Sequence, residues 1–251
     1  MEQIRIEEQR RRSEEQAARQ LEEQRKQKDL QRRKEIAAAQ HFVELKSKYQ
    51  VTEYRDSSPS SLLYKILVQL EEQEALDSTD ISWLEQENLF QVIATFYEQE
   101  LDKRGDKWNI TRAGKYWRKA GNPQRTLTLT EGVVSPDRIL VSAVWTTRGA
   151  AFRDLSELSE AEHCAFSALK YNPDSYYTYN LLGAVYYQKG QPEQGDNYFQ
   201  KAVELGASPT EQIKDIKSAL DNSGAANRKR VAEYLLRKDP VQYRWAEYYL
   251  K

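Results

Sequence analysis

The sequence predicts an all-α protein: a short solenoid of helical hairpins, flanked by further helices and preceded by a long charged helix. Three observations predict it. Residues 142–175 and 176–209 are two segments of 34 residues that repeat each other without a gap. In register, Trp145 falls on Tyr179, Gly149 on Gly183, Phe152 on Tyr186, Ala161 on Gly195 and Ala168 on Ala202. A period of this length, with aromatic and small residues alternating in order, marks stacked helical hairpins. The stretch from Glu2 to Tyr49 contains neither proline nor glycine. Finally, Leu62, Leu63, Ile66, Leu67 and Leu70 form an apolar stripe at helical spacing.

The first segment, residues 1–50, is built from Glu, Gln, Arg, Lys and Ala, all strong helix formers. Opposite charges recur four apart in the favourable order: Glu7 with Arg11, Glu8 with Arg12, Glu15 with Arg19, Glu22 with Lys26, Asp29 with Arg33. At about 1.5 Å per residue such a helix would be a rod about 70 Å long. Up to Glu35 its larger apolar residues are Ile4, Ile6, Leu21 and Leu30, which do not fill successive core positions of a heptad. An isolated charge-laced helix or a partly disordered arm is the favoured reading. A coiled coil, with itself or a partner, and an arm that folds on nucleic acid are the alternatives. Residues 50–57 read as a linker.

Residues 58–106 read as helices that pack on the repeats. Ser58 and Pro59 are expected to open the first, with serine as cap and proline in the first turn. A second is expected from Ser78 or Thr79, with Asp80 near the positive end of its dipole, running through Leu101 and ending at Gly105-Asp106. From Lys107 to Arg138 comes a degenerate repeat: Gly114 sits three before Trp117, as Gly149 sits three before Phe152, and Thr126 replaces the small residue. Thr126 to Thr130 alternates with period two and alone would read as a strand, but the flanking helical pattern overrides it. Residues 210–251 read as capping helices, at Thr210–Leu220, at Arg228–Lys238 and from Asp239-Pro240 onward. A repeat stack needs such a cap over its last apolar face.

Composition sets bounds on function. The chain has 251 residues, 31% charged, with a net charge of -1, so it has no overall pull toward nucleic acid or acidic lipid. No run of about 18 apolar residues predicts a membrane span. The N-terminus lacks the apolar core of a secretory signal, so a soluble cytoplasmic protein is expected. Catalytic equipment is sparse. Cys164 is the single cysteine, and His41 and His163 are the two histidines. His163 and Cys164 are adjacent, and neighbours on a helix point about 100° apart, so they make no nucleophile pair. No metal-ligand spacing and no phosphate-binding glycine loop occurs. No catalytic residue, cofactor or metal is expected.

The two 34-residue segments, and more weakly 107–138, resemble the tetratricopeptide repeat (TPR) family. In that family Trp145, Gly149, Phe152, Ala161, Ala168 and Pro173 would be structural positions of one repeat. Tyr179, Leu182, Gly183, Tyr186, Gly195, Phe199 and Ala202 would serve the next. The small residues let the helices of a hairpin approach, and the aromatics fill the gap. Arg148, Ala165 and Ala207 depart from the family pattern.

The resemblance implies a non-enzymatic scaffold or adaptor that holds a partner segment in the concave groove lined by the first helix of each repeat. Its groove positions fall here on Lys115, Arg118 and Lys119, on Thr146, Ala150 and Arg153, and on Tyr177, Asn180, Ala184 and Tyr187, with Lys115, Arg118, Arg153, Tyr177, Asn180 and Tyr187 as the candidates for partner contact. These residues would suit an acidic peptide with an aromatic or apolar anchor. The alternative reading has the same residues ordinarily solvated or covered by the chain's own terminal helices. A carboxylate clamp of two lysines and two asparagines is not present. Two rival readings stand beside this one. The basic clusters Arg10–Arg12 and Arg32–Lys34 would serve a nucleic-acid accessory protein, although interleaved glutamates oppose phosphate contact. A regulatory subunit of an enzyme complex would use the same surfaces on a different partner.

Overall fold

A computed structural model describes residues 2–51, 54 and 58–250. Among them there are twelve α-helices and one 3-10 helix, and no strand. The chain divides into two compact units, Met1–Asp80 and Ile81–Lys251. The division falls inside the 58–106 region.

In the first unit, α1 spans Glu2–Lys48 and α2 spans Leu62–Glu71. Every described side chain of α1 from residue 2 to residue 37 is exposed. Burial begins with Phe42, whose ring meets Tyr64 of α2 at 5.2 Å, and continues through Leu45 and Tyr49. Leu63, Ile66, Leu67 and Leu70 are the buried residues of the stripe, while Leu62 is exposed. Two local expectations change. Ser61, not Ser58, caps α2, accepting from the Tyr64 amide at 3.3 Å. Ser58 instead accepts from the Ser60 amide within a turn, so the helix starts three residues late. Along α1, Glu22 pairs with Lys26 as expected at 2.7 Å. Arg10 pairs with Glu14 and Arg11 with Glu15, in the opposite order to that read from the sequence.

The expected single helix from Ser78 to Leu101 is two, α3 (Ser78–Gln86), within which the division falls, and α4 (Phe90–Arg104) in the second unit. Asn88 breaks it with φ 58, a left-handed conformation that asparagine tolerates. Asp77 opens α3 by accepting from the amides of Thr79 and Asp80 at 2.7 and 2.9 Å.

The hairpins then follow: α5 (Trp108–Lys119) with α6 (Pro123–Leu129), α7 (Arg138–Asp154) with α8 (Leu158–Tyr171), α9 (Tyr176–Gln188) with α10 (Pro192–Glu204), and α11 (Pro209–Asp221) followed by α12 (Ala225–Lys238). Their second helices begin at residues 123, 158, 192 and 225, so the step stays at 35, 34 and 33 residues. The period therefore continues past Pro209. The chain ends in a 3-10 helix, η1 (Arg244–Leu250), rather than the α-helix expected from Asp239. Asp239 holds the intervening turn by accepting from the amides of Val241 and Gln242.

Close packing within the hairpins has a visible cause. A Cβ on Gly183 would lie 2.6 Å from the Phe199 ring, so only glycine lets α9 approach α10 this far. In the degenerate hairpin, Thr126 takes the place of the small residue and donates to the Gly114 carbonyl at 3.0 Å. Residues 126–129 are helical, and Thr130 is the cap. The departure at Arg148 also acquires a reason: its guanidinium donates to the Leu127 carbonyl at 2.7 Å and so satisfies the open end of α6.

Candidate functional site

The first helices of the four hairpins, α5, α7, α9 and α11, line one concave cavity of about 650 Å³. Five of the six groove candidates meet there: Lys115 and Arg118 from α5, Arg153 from α7, Tyr177 and Asn180 from α9. Of the other groove positions Thr146 and Ala150 line it too, and Lys119 and Ala184 do not. Thr147, Leu181 and Asp215 all line it too, each 34 residues from the next.

The sixth, Tyr187, is elsewhere. It is fully buried, in a core cluster with Ala184, Phe199, Ile216, Leu220 and Leu235. Its ring packs at 5.6 Å on Phe199, and its hydroxyl donates to Asp196 at 2.6 Å. The reason lies in the extra hairpin. α11, α12 and η1 cover the C-terminal half of α9, leaving Tyr177 and Asn180, near its N-terminal end, to line the cavity.

The mouth of the cavity is largely apolar. Tyr177 is 65% exposed and packs against Tyr176 with ring centroids 4.0 Å apart. Ile139 is also exposed, and Trp108 lines the same wall. Lys115 is more than half exposed, with Glu85 at 4.0 Å and its ammonium 4.8 Å from the centre of the Tyr116 ring.

Deeper, the charges are shared among neighbours. Arg118 holds Asp154 with both arms of its guanidinium, at 2.6 and 3.2 Å. Arg153 is 8% exposed, and the hydrogen bond its guanidinium makes among the described residues is a long one, 3.5 Å to Asp154. Burial and the neighbouring Arg118 lower its pKa, while Asp154 and Asp215 oppose that shift. Burial likewise raises the Asp215 carboxyl against the pull of Arg153 and Arg118. The hydroxyl of Ser142, a residue of the lining, is buried with no hydrogen-bond partner among the described residues. Asn180 accepts from Gln212 at 3.1 Å, which fixes its amide and leaves its NH2 uncommitted.

Sequence reasoning missed Tyr176, Ser142 and Asp215. For Asp215 the signal was present: it continues the 34-residue spacing from Thr147 through Leu181, but α11 lacks the small-residue pattern that identifies a repeat. The residues weighed for chemistry are in packing roles. His163 sits edge-on to Trp145 at 6.4 Å. Cys164 is buried, which pushes its thiol up to about 11. No group of three or more metal-ligating side chains occurs among the described residues, and no helix there is long and apolar enough to cross a membrane.

No family model matches the chain, and no curated protein does. Among solved structures, the crystal structure of MamA is similar, with 17% identity and a TM-score of 0.43. The match covers 69% of this chain and 98% of that one.

Proposed function

We propose that the protein is a non-enzymatic scaffold that holds a segment of a partner protein in this concave cavity. The observation that carries the reading is the convergence of Lys115, Arg118, Arg153, Tyr177 and Asn180 on one concave wall with uncommitted polar groups at its floor. Buried donors and acceptors without partners cost free energy, and a ligand that pairs them recovers it. The mouth supplies the other half of recognition: Tyr176, Tyr177, Ile139 and Trp108 accept an aromatic or apolar side chain. Lys115, more than half exposed beside Glu85 and the Tyr116 ring, receives an acidic residue of the segment.

The test uses residues whose loss leaves the core intact. Tyr177→Ala and Lys115→Glu both change well-exposed side chains. Peptides selected from a random display library against the full chain should bind the doubly substituted protein at least about tenfold more weakly, a change of roughly 1.4 kcal/mol. Its melting curve should be unchanged. Equal affinity for both proteins would show that the groove is not the binding surface.

The nucleic-acid alternative draws little support from α1. Arg10 and Arg11 of its basic cluster are already paired with Glu14 and Glu15.

A further inference from the structure

The floor of the cavity is not simply basic. Arg118 is committed to Asp154 through two hydrogen bonds. That leaves two groups of the lining with hydrogen-bonding capacity unspent, the Arg153 guanidinium and the Asn180 NH2. Opposite in charge to Arg153 stands Asp215, contributed by α11, which accepts no hydrogen bond among the described residues. The two act on each other electrostatically; Arg153 is buried and Asp215 half-buried. At the rim, Lys115 and Asp174 add one charge of each sign.

A ligand group entering this floor must offer an acceptor to Arg153 and a donor to Asp215. A carboxylate meets the first demand and fails the second, because it sets a second anion against Asp215 where water is scarce. An ammonium or guanidinium fails in the opposite sense against Arg153. A primary carboxamide meets both: its oxygen accepts from Arg153, with Asn180 as a further donor, and its NH2 donates to Asp215. It adds no charge to a floor already balanced.

Resting on the groove reading above, we propose that Asp215 is a specificity-determining residue. It makes the floor select a neutral carboxamide, the side chain of an asparagine or glutamine in the bound segment, over a carboxylate.

Two acetylated and amidated pentapeptides, Tyr-Gly-Gln-Gly-Tyr and Tyr-Gly-Glu-Gly-Tyr, test this when titrated into the full chain and into Asp215→Asn. Binding is followed by the nitrogen–proton resonances of the Asn180 side-chain amide, the Arg153 Nε–H and the Tyr177 backbone. The natural chain should prefer the glutamine peptide by about tenfold, a preference of the size expected when one buried group would be left facing a like charge. In Asp215→Asn the preference should vanish or reverse, and Asp215→Ser supplies the same readout should the first variant fold poorly. If the glutamate peptide binds at least as well to the natural chain, or the ratio ignores the substitution, the role of Asp215 is overturned while the groove stands. Shifts confined to Tyr177 overturn it in the same way. If neither peptide moves any of these resonances, the groove reading falls, and this proposal with it.

Discussion

The Tyr187 hydroxyl donates to Asp196, which also accepts from Tyr234 and Lys238, so one carboxylate ties α9, α10 and α12 together. Burial and the bond to Asp196 push the Tyr187 phenol well above its ordinary range, so it stays a neutral donor at any physiological pH. Tyr187→Ala would delete a fully buried ring and should cost about 3–5 kcal/mol. Tyr187→Phe keeps the ring and leaves Asp196 with two donors, so its cost should be about 1 kcal/mol. Denaturant unfolding of the two variants separates these contributions. A small effect of the alanine variant would mean that the ring is not part of the core. Tyr187 was legible in sequence as a repeat position but not as a core residue. Which side of α9 meets water depends on helices more than twenty residues downstream. Five groove residues were legible because they depend only on the period, which reaches them from their own repeats.

At the scale of elements, the hairpins are tied to each other by polar bonds as well as by packing. Glu162 of α8 accepts from Tyr186 and Lys189 at the C-terminal end of α9 and just beyond it. Burial raises the Glu162 pKa, but the bonds from Lys189 and Tyr186 outweigh it, and the net shift is downward from 4.5. A depressed carboxyl contributes stability that is complete above its unfolded value and is lost as pH falls through its folded value. Unfolding free energy should therefore decline below about pH 4.5, and Glu162→Gln should remove that part of the slope while costing about 1 kcal/mol at neutral pH. Chemical denaturation at several pH values checks it, and an unchanged slope would dissociate Glu162 from the tie. The same scale shows what local pattern conveys and what it does not. Thr126 to Thr130 alternates like a strand, yet neighbouring helices and the bond from Thr126 to Gly114 make it helical. The break at Asn88 went unread, because one asparagine within an apolar helical pattern does not distinguish a left-handed turn from a continuing helix. The last two α-helices were read as capping helices rather than as a continuation of the period, because α11 carries Lys217 where Gly183 stands one period earlier.

At the scale of the molecule, two kinds of helix are held by different means. The hairpin helices owe their order to burial: Leu182, Val185, Leu220 and Leu235 are wholly buried, and such packing melts cooperatively. The first three-quarters of α1 buries nothing that the structure describes, so its helicity rests on propensity and on exposed pairs such as Lys26 with Glu22. Each such pair adds only about 0.2–0.5 kcal/mol, and a helix of this kind frays gradually on heating. Deleting residues 2–35 should therefore leave the cooperative midpoint of thermal unfolding where it is. It should also remove a little under a fifth of the helical circular dichroism and flatten the sloping baseline before the transition. If the midpoint instead dropped by several degrees, this length of α1 would have to make stabilising contacts, either within the chain or with a second copy. Repeating the melt over a range of protein concentrations tells the two apart, because mass action makes only the second depend on concentration.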